Sequence, residues 1–297
     1  MTGRGLVLVS HGSRGIVEQP GGKRMSCLFR RSVGKPLCGD WVEVEQADGQ
    51  SAVVTSILPR RNEFVRGGSR GQRQAIAANL DQVLIVVAPV PEPSRDLVER
   101  YLVAVHSLGI QPLIVLNKAE CMPTAVLAAD SPLHRLEEYA ELGYAVLETS
   151  YKAVPGITVL SPALKSHTSI LVGQSGVGKS SLANALLPDL DLQTGALSRV
   201  TGKGTHTTTT TVMYTLPCGG RLIDSPGVWE YGLWPMSQAE LVAGFRDFAA
   251  FGGQCRFNDC HHAGEPGCAI RSALDTGHIR EWRYRSYLRL LEQVATE

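Results

Sequence analysis

Two groups of residues in this chain have the types and spacing of chemical sites. The first is "GQSGVGKS", Gly173 to Ser180, which fits G-x-x-x-x-G-K-[ST] at every position. Glycines there let backbone N–H groups converge on phosphate oxygens, and the start of the following helix adds a positive dipole end. Lys179 can reach the β- and γ-phosphates, and the Ser180 hydroxyl can hold Mg²⁺. The phosphate-contacting set is Gly173, Gln174, Ser175, Gly176, Val177, Gly178, Lys179, Ser180 and Ser181. This implies a nucleoside triphosphate with magnesium, and leaves the base open.

The second group is Cys255, Cys260 and Cys268, three thiols within fourteen residues, beside His261 and His262. The other cysteines, Cys27, Cys38, Cys121 and Cys218, are scattered and read as isolated thiols. A tight Cys/His cluster favours a metal over a disulfide framework. Three thiolates and one imidazole would make a closed tetrahedral zinc site, structural in kind. A redox cysteine pair is the alternative.

Other segments extend the phosphate site. "LIDSPG" (222–227) ends a strand with Asp224, able to organise Mg²⁺ through water, and Gly227, able to offer its N–H to a γ-phosphate. In "GKGTHTTTTT" (202–211), Thr207 or Thr208 suits a Mg²⁺ ligand that orders with the triphosphate. Upstream, "LIVLNKAECM" (113–122) carries Asn117, Lys118, Ala119 and Glu120 just past a strand. A carboxylate at 120 would accept from the N1–H and exocyclic amine of guanine, a donor pair that adenine lacks. "ETSYK" (148–152) ends the next strand and offers Ser150 to the base.

The elements that must position these groups change in kind along the chain. Residues 5–60 are short alternating runs broken by Gly, Pro and Asp, which predicts a small β-barrel of the OB type. "RRNEFVRGGSRGQRQ" (60–74) reads as a flexible basic linker. Beyond 76, strands ("DQVLIVVAPV", "QPLIVLNK") alternate with helices (94–109, 133–143), the pattern of a doubly wound parallel sheet. Residues 236–252 and 278–294 read as helices around the cysteine cluster. The chain is thus divided into a barrel (1–60), linker (61–75), nucleotide domain (76–235) and helical zinc domain (236–297).

Charge is uneven. Residues 1–75 hold twelve Lys/Arg against six Asp/Glu, so this part carries +6 while the whole chain is only +1. Such concentration suggests a polyanion-binding surface. Phe29 and Trp41 could stack on bases there, and core packing is the competing role for each. The arginines of "REWRYRSYLRLL" (280–291) could touch RNA, or the helix could simply pack its apolar stripe. No apolar run approaches a membrane span, and the N-terminal residues lack a secretory pattern, so a cytoplasmic location is expected.

The order base motif, base motif, phosphate loop, "GTHTTT", "DSPG" resembles the RsgA/YjeQ family, circularly permuted GTPases dependent on the small ribosomal subunit. The resemblance also covers the basic OB-like N-terminus, "YGLW" and "CRFNDCHHAGEPGC". It implies hydrolysis of the β–γ phosphoanhydride of GTP, stimulated by the 30S subunit, during late maturation of that subunit. It further implies contacts from the barrel and zinc domain to 16S rRNA, with no membrane partner and a monomeric protein. The family spacing selects Cys255, Cys260, His262 and Cys268 as ligands of one structural zinc. Two positions depart from the family: Glu120 stands where Asp is usual, and Trp229 where a basic residue is common.

Many GTPases orient the attacking water with a Gln just after Asp-x-x-Gly; here that position is Val228, so slow intrinsic turnover is expected. His206 is the local substitute, alongside Lys179 in the catalytic set, and an exposed loop histidine without a role is the equal alternative. Two other function classes compete: an RNA-binding chaperone gated by nucleotide, and a P-loop ATPase or small-molecule kinase. Glu120 generates a direct expectation. Its extra methylene loosens the guanine contact unless the backbone retreats, so GTP is expected to be preferred over ATP but less sharply than with aspartate. Competition binding should show Glu120→Asp raising that selectivity; unchanged selectivity would refute the reasoning.

Overall fold

The computed structural model describes residues 2–46, 51–67, 73–150, 156–187, 211–225 and 236–295. Strands β1 (Thr2–His11), β2 (Arg14–Glu18), β3 (Arg24–Phe29), β4 (Trp41–Gln46) and β5 (Ser51–Ile57) pair in the order 1-2-3-5-4. Strand β4 then returns to β1, Leu6 opposite Trp41, and closes the five strands into an OB-type barrel. Alternation places Val42 and Val44 inward with Val7, Val17, Met25, Cys27, Phe29 and Val54 as a separate core. Phe29 is therefore a core residue. Trp41 is not, since 43% of its surface is exposed beside the barrel wall.

The stretch expected as a flexible linker is structured on both sides of residues 68–72. Here β6 (Glu63–Gly67) and β7 (Arg73–Ala78) form an antiparallel hairpin, with Phe64 fully buried. Few apolar residues are needed because main-chain pairing and amide side chains supply the contacts. Asn62 exchanges two hydrogen bonds with Leu80, and the Asn79 amide donates to the Gly39 carbonyl at 2.9 Å. Arg60 holds fully buried Asp40 at 2.7 Å through two nitrogens.

Strands β8 (Gln82–Val87), β9 (Gln111–Leu116), β10 (Ala145–Glu148), β11 (Thr168–Val172) and β13 (Arg221–Asp224) are parallel in the order 10-9-8-11-13, with β12 (Val212–Thr215) antiparallel at β13. All six residues of β8 are buried, as its unbroken apolar run requires. Helices α1 (Leu97–Ser107), α2 (Leu136–Glu141), α3 (Leu160–Leu164) and α4 (Lys179–Leu186) connect or cover these strands. Strand β12 meets β1 at Val9–Val212, so barrel and nucleotide domain share one eleven-stranded sheet. Chain direction across the sheet reverses between β8 and β11, which opens a crevice at their C-terminal ends. Among the described residues no helix is long and apolar enough to cross a membrane.

Helix α1 starts at Leu97, three residues beyond the Ser94 expected to open it. Asp96 precedes it without capping it. Its carboxylate instead accepts from Arg289 at 2.6 and 2.7 Å and from Ser286 at 2.9 Å. Those partners lie on α7 (Glu281–Ala295), which follows α5 (Gln238–Gly244) and α6 (Ala269–Asp275). Ser237 and Glu240 form a capping box at the start of α5.

The α7 arginines mostly face protein. Arg283 has no exposed surface; it pairs with Glu99 of α1 and with Asp247 at 2.7 Å, and stacks 4.5 Å from the Phe245 ring centre. Tyr139 donates to Glu99 at 2.6 Å, and Trp282 donates to Glu138 at 2.6 Å. Arg280 pairs with Glu138 and Glu141 of α2. Only Arg285 is mainly exposed, paired with Glu281 one turn earlier. Burial pushes the Glu99 carboxyl up despite the Arg283 charge, so removing that cation would strand two acids. Arg283→Met should cost about 3–5 kcal/mol in urea unfolding, and adding Glu99→Gln should recover part of it. A loss below about 1 kcal/mol would show that the cluster does not hold the helix.

Candidate nucleotide site and candidate metal centre

The phosphate loop leaves β11 at Val172 and enters α4 at Lys179. Gly178 caps the helix at φ +97°, and a Cβ there would stand 2.4 Å from the Asn117 amide nitrogen. Glycine is thus required twice over, by backbone and by neighbour. The Lys179 ammonium donates to the Gly173 carbonyl at 2.5 Å and to Gln174 at 2.8 Å. Desolvation lowers its pKa to about 8, so a phosphate arriving beside it would hold the proton on. Ser180 and Ser181 are exposed in the first turn of α4. Lys179, Ser180, Asp224 and Ser225 line a small cavity between α4 and the end of β13. Burial raises the Asp224 carboxyl.

The base motif reaches this loop directly. Asn117 follows β9, where its N–H donates to the Val87 carbonyl at 2.8 Å. Its side-chain amide donates to the Val177 carbonyl at 2.8 Å and its oxygen accepts from Thr149 at 3.0 Å. Lys118 donates to the Gly176 and Val90 carbonyls, each at 2.7 Å. Its backbone is left-handed, φ +57°, turning the chain into the 3-10 segment Ala119–Thr124 that carries Glu120. Ala119 N–H meets the Thr149 carbonyl at 3.1 Å, and Ser150 is buried just past β10. Parallel pairing of β8, β9 and β11 therefore gathers Asn117, Lys118 and the phosphate loop at one end of the sheet. His206, Thr207, Thr208 and Gly227 lie outside the described residues.

Sequence reasoning passed over Thr149 and the Val90–Pro91–Glu92 turn after β8. The Glu92 carbonyl accepts from Gln174 at 3.1 Å. A strand end adjacent to the phosphate strand was the available signal, since "VPEP" has no motif of its own.

In the C-terminal domain the ligand atoms of Cys255, Cys260, His262 and Cys268 all lie within 4.8 Å of one another. His262 Nδ1 is 3.4 Å from Cys255 Sγ and 3.6 Å from Cys268 Sγ. A zinc tetrahedron with its usual bond lengths has edges of about 3.3–3.8 Å, which both His262 separations match, and the whole set, within 4.8 Å, is close to that size. Desolvation and then the neighbouring sulfurs push the Cys260 thiol up to about 12, which makes a set of thiolates here dependent on a cation. Backbone N–H groups already point at the sulfurs, Ala269 to Cys255 at 3.3 Å and Arg271 to Cys268 at 3.4 Å. His262 is left-handed at φ +60°, and Tyr284 of α7 holds its carbonyl at 2.8 Å. Exposed His261 is outside the cluster, its carbonyl bound by Tyr287 at 2.8 Å. Glu265 accepts from the His261, Ala263 and Gly264 N–H groups and so closes the loop.

Comparison with known proteins agrees with this geometry. A profile of the RsgA GTPase family matches residues 57–234. The small ribosomal subunit biogenesis GTPase RsgA of Ectopseudomonas mendocina (strain ymp) is 45% identical over 297 residues, covering 98% of this chain and 85% of that protein. The protein of the same name from Azotobacter vinelandii is 44% identical with the same coverage. Among solved structures, YjeQ from Thermotoga maritima superposes with a TM-score of 0.79 at 30% identity over the whole of both chains. YloQ, a circularly permuted GTPase, superposes at 0.77 with 26% identity, covering 100% of this chain and 96% of that one. With its family profile spanning more than half its length and such relatives matching nearly all of it, the chain belongs to the RsgA GTPase family.

Proposed function

We propose that this GTPase acts in the late maturation of the small ribosomal subunit, in the cytoplasm and as a monomer. The observation that carries the GTP reading is the grip of Asn117 and Lys118 on the Val177 and Gly176 carbonyls. It joins the base motif to the phosphate loop although 60 and 58 positions separate their bonded residues. The names of the relatives, small ribosomal subunit biogenesis GTPases, support the ribosomal role.

In this reading the loop N–H groups and Lys179 hold the β- and γ-phosphates, with Gly173 to Ser181 around them. Bound Mg²⁺ would neutralise developing phosphate charge, with Ser180 as its ligand, Thr207 or Thr208 as a second, and Asp224 acting through water. Glu120 reads the guanine edge and Ser150 backs the base. Gly227 offers its N–H to the γ-phosphate, and His206 orients the attacking water once the subunit orders its loop. Glutamine is absent from position 228, which supports slow turnover without a partner.

Cys255, Cys260, His262 and Cys268 hold one structural zinc that fixes the loop clamped by Tyr284 and Tyr287. The barrel supplies the basic surface for 16S rRNA, with exposed Trp41 as a stacking residue. The zinc domain is the second rRNA contact, and its α7 helix contributes little positive charge because Arg283, Arg289 and the preceding Arg280 are paired internally.

Two measurements test this reading. Purified 30S particles should raise GTP turnover at least tenfold, and His206→Ala should lose that gain; equal stimulation of the mutant removes His206 from the mechanism. Elemental analysis should find about one zinc per chain, falling to near zero in Cys260→Ser; a metal-free, fully folded wild-type protein would refute the zinc assignment.

A further inference from the structure

The Val90–Pro91–Glu92 turn touches the nucleotide site in more than one place. The Val90 carbonyl accepts from Lys118, the same ammonium that holds Gly176. Pro91 packs on Gly176, its Cδ 3.3 Å from where a Cβ on that glycine would stand. The Glu92 carbonyl accepts from the Gln174 side chain. These contacts all serve the phosphate loop.

The Glu92 carboxylate serves another segment. Its Oε1 accepts the Ala128 N–H at 2.9 Å, eight residues beyond Glu120. The Glu120-bearing segment is thus tied at its start by Ala119 to Thr149 and at its end by Ala128 to Glu92. Between these ties the backbone bonds from Cys121 to Lys118 at 2.8 Å and from Ala125 to Met122 at 3.3 Å are local. A charged acceptor makes the Ala128 tie stronger than an ordinary amide bond.

We propose that Glu92 is a positioning residue for guanine specificity, setting the place of the Glu120 turn relative to the phosphate loop. A carboxylate meets the N1–H and 2-amine of guanine well only within a fraction of an ångström. Glutamate at 120 reaches further than aspartate, so its backbone must be held back from the base. Glu92 is suited to that task because one residue carries both ties, its carbonyl to Gln174 and its carboxylate to Ala128. The inference rests on Glu120 reading guanine.

Inosine diphosphate separates the effects, because it keeps the ribose, phosphates and N1–H of GDP and lacks only the 2-amine. Calorimetric Kd values for GDP and IDP would be compared in the full-length wild type, Glu92→Ala, Glu92→Gln, Glu120→Ala and the Glu92→Ala/Glu120→Ala double variant. The wild type should prefer GDP by about ten- to a hundredfold, the range for a hydrogen bond to a charged group, and Glu120→Ala should abolish the preference. Glu92→Ala should cut the GDP:IDP ratio about tenfold, weakening IDP less than GDP because IDP makes only the N1–H contact with Glu120, and the IDP binding that remains reports a folded site. Glu92→Gln, which keeps an acceptor for Ala128, should retain most of the ratio, and the double variant should match Glu120→Ala. Equal weakening of GDP and IDP by Glu92→Ala, or no change in either, overturns the inference alone. A wild type without GDP preference, or Glu120→Ala that keeps it, overturns the Glu120 reading and the inference with it.

Discussion

A loop that turns its N–H groups inward toward phosphate must turn carbonyls outward, and each buried carbonyl needs a donor. Here Lys179 supplies Gly173 and Gln174, Lys118 supplies Gly176, and the Asn117 amide supplies Val177. Two of these donors come from the base motif, 60 and 58 positions upstream of their acceptors. The loop therefore has its described shape only when β9 and β11 both flank β8 in register. Thr149, Val90 and Glu92 then hold the donors and the loop in turn. This dependence explains why the permuted chain order leaves the site intact: each bond requires neighbouring strands, and none requires a particular order of connection.

The three domains are joined by interactions of different kinds. Barrel and nucleotide domain share backbone pairing at Val9–Val212 and a polar junction through Asn62, Asn79, Arg60 and Asp40. The C-terminal domain is attached by a shared apolar core, in which Leu241, Phe245 and Tyr287 join the cluster of α1, and by charge, with Arg283 and Arg289 of α7 and the preceding Arg280 set against Glu99, Asp247, Asp96 and the acids of α2. Helix α1, which carries Glu99, begins five residues after the Glu92 whose carbonyl holds Gln174 of the phosphate loop, so the charged cluster and the nucleotide site lie on one short stretch of chain.

Local spacing was enough to expose the phosphate loop, Asn117–Lys118 and the Cys/His cluster, because each performs its chemistry through residues close together in the chain. Period-two and apolar-run patterns likewise revealed the barrel and the parallel sheet. Pairing between distant residues was hidden. Arg-rich 60–74 looked like a linker because its low apolar content conceals main-chain bonds that form only when β6 meets β7. The arginines of 280–289 looked available to RNA because nothing nearby in sequence shows Glu99, Asp247 or Asp96 opposite them.

By itself the sequence determined which groups can bind phosphate and which thiols can share a metal, since those choices depend on residue type at short range. It also carried the family, through the order of its motifs. Tertiary structure alone decided that Trp41 is exposed and Phe29 is not, and that Glu92 ties the base turn to the phosphate loop. The reason is common to both. Burial and hydrogen-bond partnership depend on what the folded chain places opposite a residue, and in a sheet of eleven strands most of those neighbours are far away in sequence.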